Sequence, residues 1–180
     1  SLGSIELAAG HLDRAETHLR DAVTQARARG DDPLAAAALK DLGSLLVLRQ
    51  KPAEALDAYR ESAALARGAG YRTLAAQSLS NASSVLRQTG RIPEAKTALD
   101  EALDQLLPAP ASHDMAFTLV SVGLGYRDLA ATFPDRGEVM RRSATALTAA
   151  VAAADGIGDR RAASYARGYL GMLYEDERRH

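Results

Sequence analysis

The chain of 180 residues contains no cysteine, which removes disulfides, thiolate metal sites and thiol nucleophiles at once. A chain without cysteine tolerates any redox poise, so its compartment stays open. A surplus of one charge is also missing. The 22 basic and 23 acidic side chains give a formal net charge of -1, so the field that draws a protein to nucleic acid or to an anionic membrane is lacking. No nucleic-acid or membrane partner is therefore expected. The apolar stretch MAFTLVSVGLGY, from Met115 to Tyr126, has twelve residues where about 20 are needed to span a bilayer. It reads as a buried helix. The opening SLGSIELAAG has no basic start and carries Glu6, unlike a signal peptide. A soluble chain, cytoplasmic by default, is expected.

Aromatic residues make up only 4 % of the chain, against 47 % hydrophobic residues in all. Ala and Leu carry most of that share, with Arg and Glu between them and Gly or Pro roughly every fifteen to twenty residues. Such a composition favours an all-α chain. Its length suits one domain able to bury about two thirds of its unfolded surface. From Ala53 onward, Ala55, Leu56, Tyr59, Ala63 and Ala66 fall on one side at helical spacing, and Glu54, Asp57, Arg60 and Glu61 fall on the other. This is an amphipathic helix with a narrow buried stripe. The preceding PLAAAALKDLGSLLVLRQ, Pro33 to Gln50, is apolar around most of its circumference and should be covered on more than one side. Asp31 or Asp32 supplies its N-cap and Pro33 its first turn.

The two kinds of helix alternate in a countable register. Ala15, Ala55 and Ala95 recur at forty, as do Leu19, Tyr59 and Leu99, then Ala22, Ser62 and Ala102, and also Gly3, Gly43, Ser83 and Gly123. The next equivalent glycine is Gly171, forty-eight on, with Ser143, Leu147 and Ala150 at the alanine, bulky and alanine places. One repeat thus carries eight extra residues, around DLAATFPDRGEVM, which lengthen its helices or their turn, with Phe133-Pro134 at the tip as a candidate contact. A small residue at a fixed place lets the paired helix approach, and the bulky residue fills the gap beside it. A single hairpin cannot bury its second apolar face, so hairpins must stack into an α-solenoid. About four and a half hairpins are expected, with units near 1–30, 31–70, 71–110 and 111–158 and a half unit at 159–180. In the first unit the turn between helices is expected at His11.

KDLGSLLVLRQKPAEALDAYRESA and SNASSVLRQTGRIPEAKTALDEAL resemble tetratricopeptide repeats, which place Leu-Gly and an aromatic in the first helix and Ala, a bulky residue and Ala in the second. Leu42-Gly43, Ala55 and Tyr59 fill those places, then Ala95, Leu99 and Ala102, and later Tyr126, Leu170-Gly171 and Tyr174. The resemblance covers essentially the whole chain and implies a right-handed superhelix. It departs in a period of forty rather than about 34, and in the frequent replacement of the aromatic by Leu. GIGDRRAASYARGYLGMLYED and PAPASHDMAFTL further resemble the repeats that precede caspase-like CHAT domains in bacterial proteins. On that resemblance the chain is expected to be a fragment of a larger protein, whose catalytic His and Cys would lie outside it.

No chemistry converges in the sequence itself. The histidines are dispersed: His11 and His18 offer no third ligand at metal spacing, and His113-Asp114 stands where a helix start and its cap account for it. GLGYRDL puts two glycines inside a helix rather than in a phosphate loop after a strand. No enzyme activity, cofactor or metal is expected. The resemblance implies instead a concave groove lined by the first helices, binding a protein or peptide. Carried over residue by residue, it comprises Lys40, Ser44, Val47 and Leu48 in the second unit, then Gln77, Ser80, Ser84, Arg87 and Gln88 in the third. The fourth contributes Phe117, Val120, Leu124, Arg127 and Asp128, with Tyr165 and Met172 extending it. Apolar patches beside Lys40, Arg87 and Arg127 suit an extended segment or helix with some acidic character. Ser44 and Ser84 stand where the family's carboxylate clamp needs asparagine, so capture of chaperone tails is not expected. Arg14, Arg20, Arg27 and Arg29 interleave with acids and read as solubilising. Two alternatives are the sensing repeats of a transcription regulator and a self-associating scaffold, the latter through a C-terminal helix exposing Leu170, Leu173 and Tyr174.

Overall fold

The structure, a computed structural model, describes the backbone of residues 2–178 and the side chains of 10–175. Among the described residues eight helices follow one another: α1 Leu2–Ala28, α2 Asp32–Leu48, α3 Pro52–Gly68, α4 Arg72–Gln88, α5 Ile92–Leu106, α6 His113–Leu129, α7 Arg136–Gly156 and α8 Arg160–Arg178. Among the described residues there is no strand. Each helix packs on the next, and α2, α4, α6 and α8 also pack on one another in a row. Among the described residues the outer helices α1, α3, α5 and α7 do not pack on one another in this way. An inner row drawn together and an outer row held apart curve the stack toward the even-numbered helices, as an α-solenoid does.

The local reasons are repetitive. At the start of α2 the Asp31 carboxylate accepts the Leu34 N–H at 3.1 Å, and Pro33 lies in the first turn, so Asp31 is the cap. Five helix ends share one closing geometry. In α4 the Arg91 N–H donates to the Leu86 carbonyl at 2.8 Å and the Gly90 N–H to Arg87 at 3.1 Å, a Schellman cap that needs a left-handed residue. Gly90 supplies it with φ +76°, as Gly30, Gly70 and Gly158 do elsewhere. After α2 that place is held by Gln50 at φ +59°, a conformation a residue with a Cβ adopts at a cost of about 1 kcal/mol.

Nesting of small against bulky residues joins the hairpins. A Cβ added at Gly43 would lie 2.7 Å from the Tyr59 ring, and one at Gly123 would lie 2.8 Å from Leu147, so those glycines set the closeness of α2 to α3 and of α6 to α7. At Gly171 such a Cβ would meet nothing within 4 Å. Ser62 and Ser143 stand where other units carry Ala, and both are buried. Ser62 Oγ donates to the Ala36 carbonyl at 2.6 Å and Ser143 Oγ to Gly123 at 2.7 Å; each hydroxyl is satisfied by the backbone of the inner helix it faces.

Four expectations change. The helix α1 runs unbroken through His11, because GHLD has no proline of the kind that follows the turn in KPAEA and RIPEA. The eight extra residues fall on the second side of their hairpin: α6 keeps seventeen residues, the connection over 130–135 lengthens, and α7 has twenty-one residues where α5 has fifteen. Phe133 does not project from that connection. It is partly buried against the core, with Lys96 Nζ 5.8 Å from its ring centre. Leu173 is fully buried rather than exposed, since α8 rests on both α6 and α7.

Candidate binding groove

The inner helices α2, α4 and α6 enclose an open cleft of about 350 Å³. Its walls are Lys40, Asp41 and Ser44 from α2, Gln77, Ser80 and Asn81 from α4, and His113, Asp114, Phe117, Thr118 and Ser121 from α6. Residues four apart on a helix stand above one another, so each helix offers two or three successive turns. Three of the hydroxyls are tethered to their own helices: Ser44 Oγ donates to the Lys40 carbonyl at 3.1 Å, Thr118 Oγ1 to Asp114 at 2.5 Å and Ser121 Oγ to Phe117 at 3.1 Å. Thr118 and Ser121 spend their protons on the backbone and face the cleft chiefly as acceptors, whereas Ser44 Oγ also lies 3.1 Å from the Tyr59 hydroxyl. The amides of Gln77 and Asn81 bring donors as well as acceptors. Lys40 Nζ lies 3.5 Å from the Asp41 carboxylate, which offsets its charge.

Of the groove residues read from the sequence, Lys40, Ser44, Gln77, Ser80 and Phe117 meet in this cleft. Leu48 is exposed by 70 % near the end of α2, while Val47 and Leu124 are partly buried against the core. Val120 is buried and offers a partner nothing, because its side of α6 is turned away from the solvent that Ser121 meets on the same turn. Ser84 and Gln88 are exposed on later turns of α4. Arg87 pairs with Asp128 across α4 and α6 at 3.3 Å, and Arg127 is also engaged. Asp41, Asn81, Thr118 and Ser121 were missed. Asn81 and Ser121 lie one helical turn from Gln77 and Phe117, a spacing that could have found both.

His113 and Asp114 belong to the cleft, although their position suggested capping alone. The cap of α6 is Ser112, whose hydroxyl accepts the Met115 N–H at 3.1 Å. His113 Nδ1 instead lies 2.5 Å from Asp159 Oδ2, and Asp159 Oδ1 accepts the Ala162 N–H at 2.9 Å at the start of α8. The Ala162 N–H first, and His113 next, hold the Asp159 carboxyl below the ordinary aspartate range. Among the described residues no hydroxyl hydrogen-bonds to His113, so the pair clasps α6 to α8. No group of three potential metal-ligating side chains occurs among the described residues.

A row of rings leaves the cleft along α8. The His113 and Phe117 centroids are 4.6 Å apart, Phe117 and Tyr165 are 5.9 Å apart, and Tyr165 and Tyr169 are 6.4 Å apart. Beside them Ser164, Tyr165, Gly168, Tyr169 and Met172 line a shallow groove of about 330 Å³.

Two models of the same family, each described as tetratricopeptide repeat, match residues 1–68 and 75–104, together just over half of the sequence. The chain belongs to the tetratricopeptide-repeat family. Such repeats generally mediate protein–protein interaction. No curated protein matches the chain. Thirty-five chains among solved structures do. In the crystal structure of BtubC (BKLC) from P. vanneervenii, 17 % sequence identity accompanies a TM-score of 0.58 over 99 % of this chain and 79 % of that one. Identity this low supports a shared fold and nothing more specific. Within the tetratricopeptide frame the cleft occupies the concave face, and no helix is long and apolar enough to cross a membrane among the described residues.

Proposed function

We propose that the chain is a protein-interaction module whose concave cleft receives an extended segment of a partner protein. The observation that carries this reading is the open cleft between three successive inner helices, lined by backbone-tethered hydroxyls and two amides. Walls fixed by nested helices need little ordering on binding, so more of the contact energy is kept as affinity. Because Lys40 and Arg87 are each paired with a neighbouring carboxylate, an acidic segment gains less here than the bare sequence suggested. Recognition rests on hydrogen bonds from Gln77 and Asn81 to a peptide backbone. On the resemblance to CHAT-associated repeats, the module scaffolds a larger bacterial protein with a caspase-like domain. A random-peptide display selected on the whole chain tests the binding site. Enriched peptides should lose at least about tenfold in affinity when Ser80→Trp fills the cleft; affinities unchanged by that substitution would move the site elsewhere.

A further inference from the structure

The rings beside the cleft differ from it in chemistry. The cleft is polar, whereas Tyr165 and Met172 are exposed by 48 % and 45 % and flank an open floor at Gly168, where an added Cβ would meet nothing within 4 Å. Phe117 stands at the boundary, lining the cleft and facing Tyr165. Neighbouring rings are tilted by 52° and 43° at contact distance, so they form a continuous ridged apolar surface. The ridges follow one another at 5.9 and 6.4 Å, and a polyproline II chain advances about 6.2 Å every two residues.

We propose that this aromatic strip, Phe117, Tyr165 and Tyr169 with Met172, docks a proline-rich partner segment in polyproline II form, carrying a basic residue toward the cleft. It rests on the reading that the concave face receives a partner segment, and it names that segment's chemistry. Apolar pyrrolidine rings pack on the exposed faces of such aromatic rings. A polyproline II backbone leaves its carbonyls without internal partners, and the phenol hydroxyls of Tyr165 and Tyr169 are donors that can reach such groups. Preset dihedral angles reduce the entropy lost on docking. Charge orients the segment. At the cleft end the exposed carboxylate of Asp114 adds negative potential that Lys40, already beside Asp41, does not cancel, and a lysine or arginine of the partner complements it.

The test is selection from a random dodecapeptide library on the whole chain, followed by fluorescence anisotropy of the enriched peptides. Enriched sequences should carry two or more prolines two or three residues apart, with a Lys or Arg toward one end. Their affinity should fall about tenfold with Tyr165→Ala, fall about threefold with Asp114→Asn, and stay unchanged with Tyr71→Ala, an exposed tyrosine on the turn before α4. Tyr165→Phe separates ring from hydroxyl and should retain most of the binding. Circular dichroism on each variant checks folding, which the exposure of Tyr165 protects. Proline-free peptides that depend on Ser80 and ignore Tyr165 would overturn this proposal and leave the cleft reading standing. Proline-rich peptides indifferent to Tyr165 would also overturn it. No enriched peptide at all would overturn both readings.

Discussion

Between α3 and α5 the outer helices reach across to each other through Arg60 and Glu94 at 3.3 Å and Arg67 and Glu101 at 3.8 Å. Arg20 with Glu54, and Arg27 with Glu61, do the same one unit earlier. Both members of each pair shift by forty residues. Between α5 and α7 the bridge is different: Asp100 receives Lys96 Nζ at 2.7 Å and the Tyr126 hydroxyl at 2.6 Å, with Arg142 Nε 3.7 Å away, while Lys96 also reaches Glu138 at 2.8 Å. Tyr126 is fully buried and Lys96 only 14 % exposed at its side chain. Burial and the Asp100 carboxylate push the Tyr126 phenol above its ordinary value. Burial pulls the Lys96 ammonium down, but the hydrogen bonds to Asp100 and Glu138 outweigh it and leave it raised. The first bridge lies in solvent and adds little. The second lies beside the long 130–135 connection, where Phe133 stands over Lys96, and Asp100 is the partner that Lys96, Tyr126 and Arg142 share.

The contrast can be broken most forcefully at Asp100. Asp100→Leu strands the buried Tyr126 phenol and leaves the nearly buried Lys96 ammonium with Glu138 alone, and should cost about 3 kcal/mol in urea unfolding. A loss below about 1 kcal/mol would place the network on the same footing as the outer pairs. The nesting common to both regions is sharpened by two glycines. Gly43→Ala drives a methyl into Tyr59 and should destabilise by about 1–2 kcal/mol despite the better helix former, whereas Gly171→Ala meets nothing and should stabilise by up to about 1 kcal/mol. Matching shifts in thermal melts would remove the role given to close approach. The smallest effect belongs to the exposed pairs. Arg67→Ala should cost about 0.5 kcal/mol or less at low salt and nothing measurable in 1 M salt, while the Asp100→Leu deficit persists there.

The recurrence of Ala, a bulky residue and Ala at forty made the hairpins and their nesting legible before any coordinates, because close approach constrains residue size directly. The unbroken α1 was not legible, since helix continuity at GHLD depends on the absence of a breaker rather than on any positive signal. Leu173 was misplaced because its cover comes from two helices at once. Five of the cleft's residues followed from the family register, which fixes the direction in which a position points. It does not fix depth, so Val120 was included and Asn81 omitted. The cluster around Asp100 gathers residues from three helices, with Tyr126 26 residues from Asp100 along the chain, beyond the reach of local periodicity. The Arg–Glu ladder was visible in principle: Arg20 and Arg27, read as solubilising, have acids at a constant offset of 34 that reappear with Arg60 and Arg67.

Helices that touch along one edge and are tied by long, hydrated side chains along the other behave like the ribs of a fan. The close edge acts as the pivot, and the loose edge can spread or fold at small cost until the rigid joint at α5 and α7 is reached. Anything gripping the pivot side, or changing the ionic medium on the far side, would therefore alter the sweep of the ribs ahead of that joint and leave those beyond it in place.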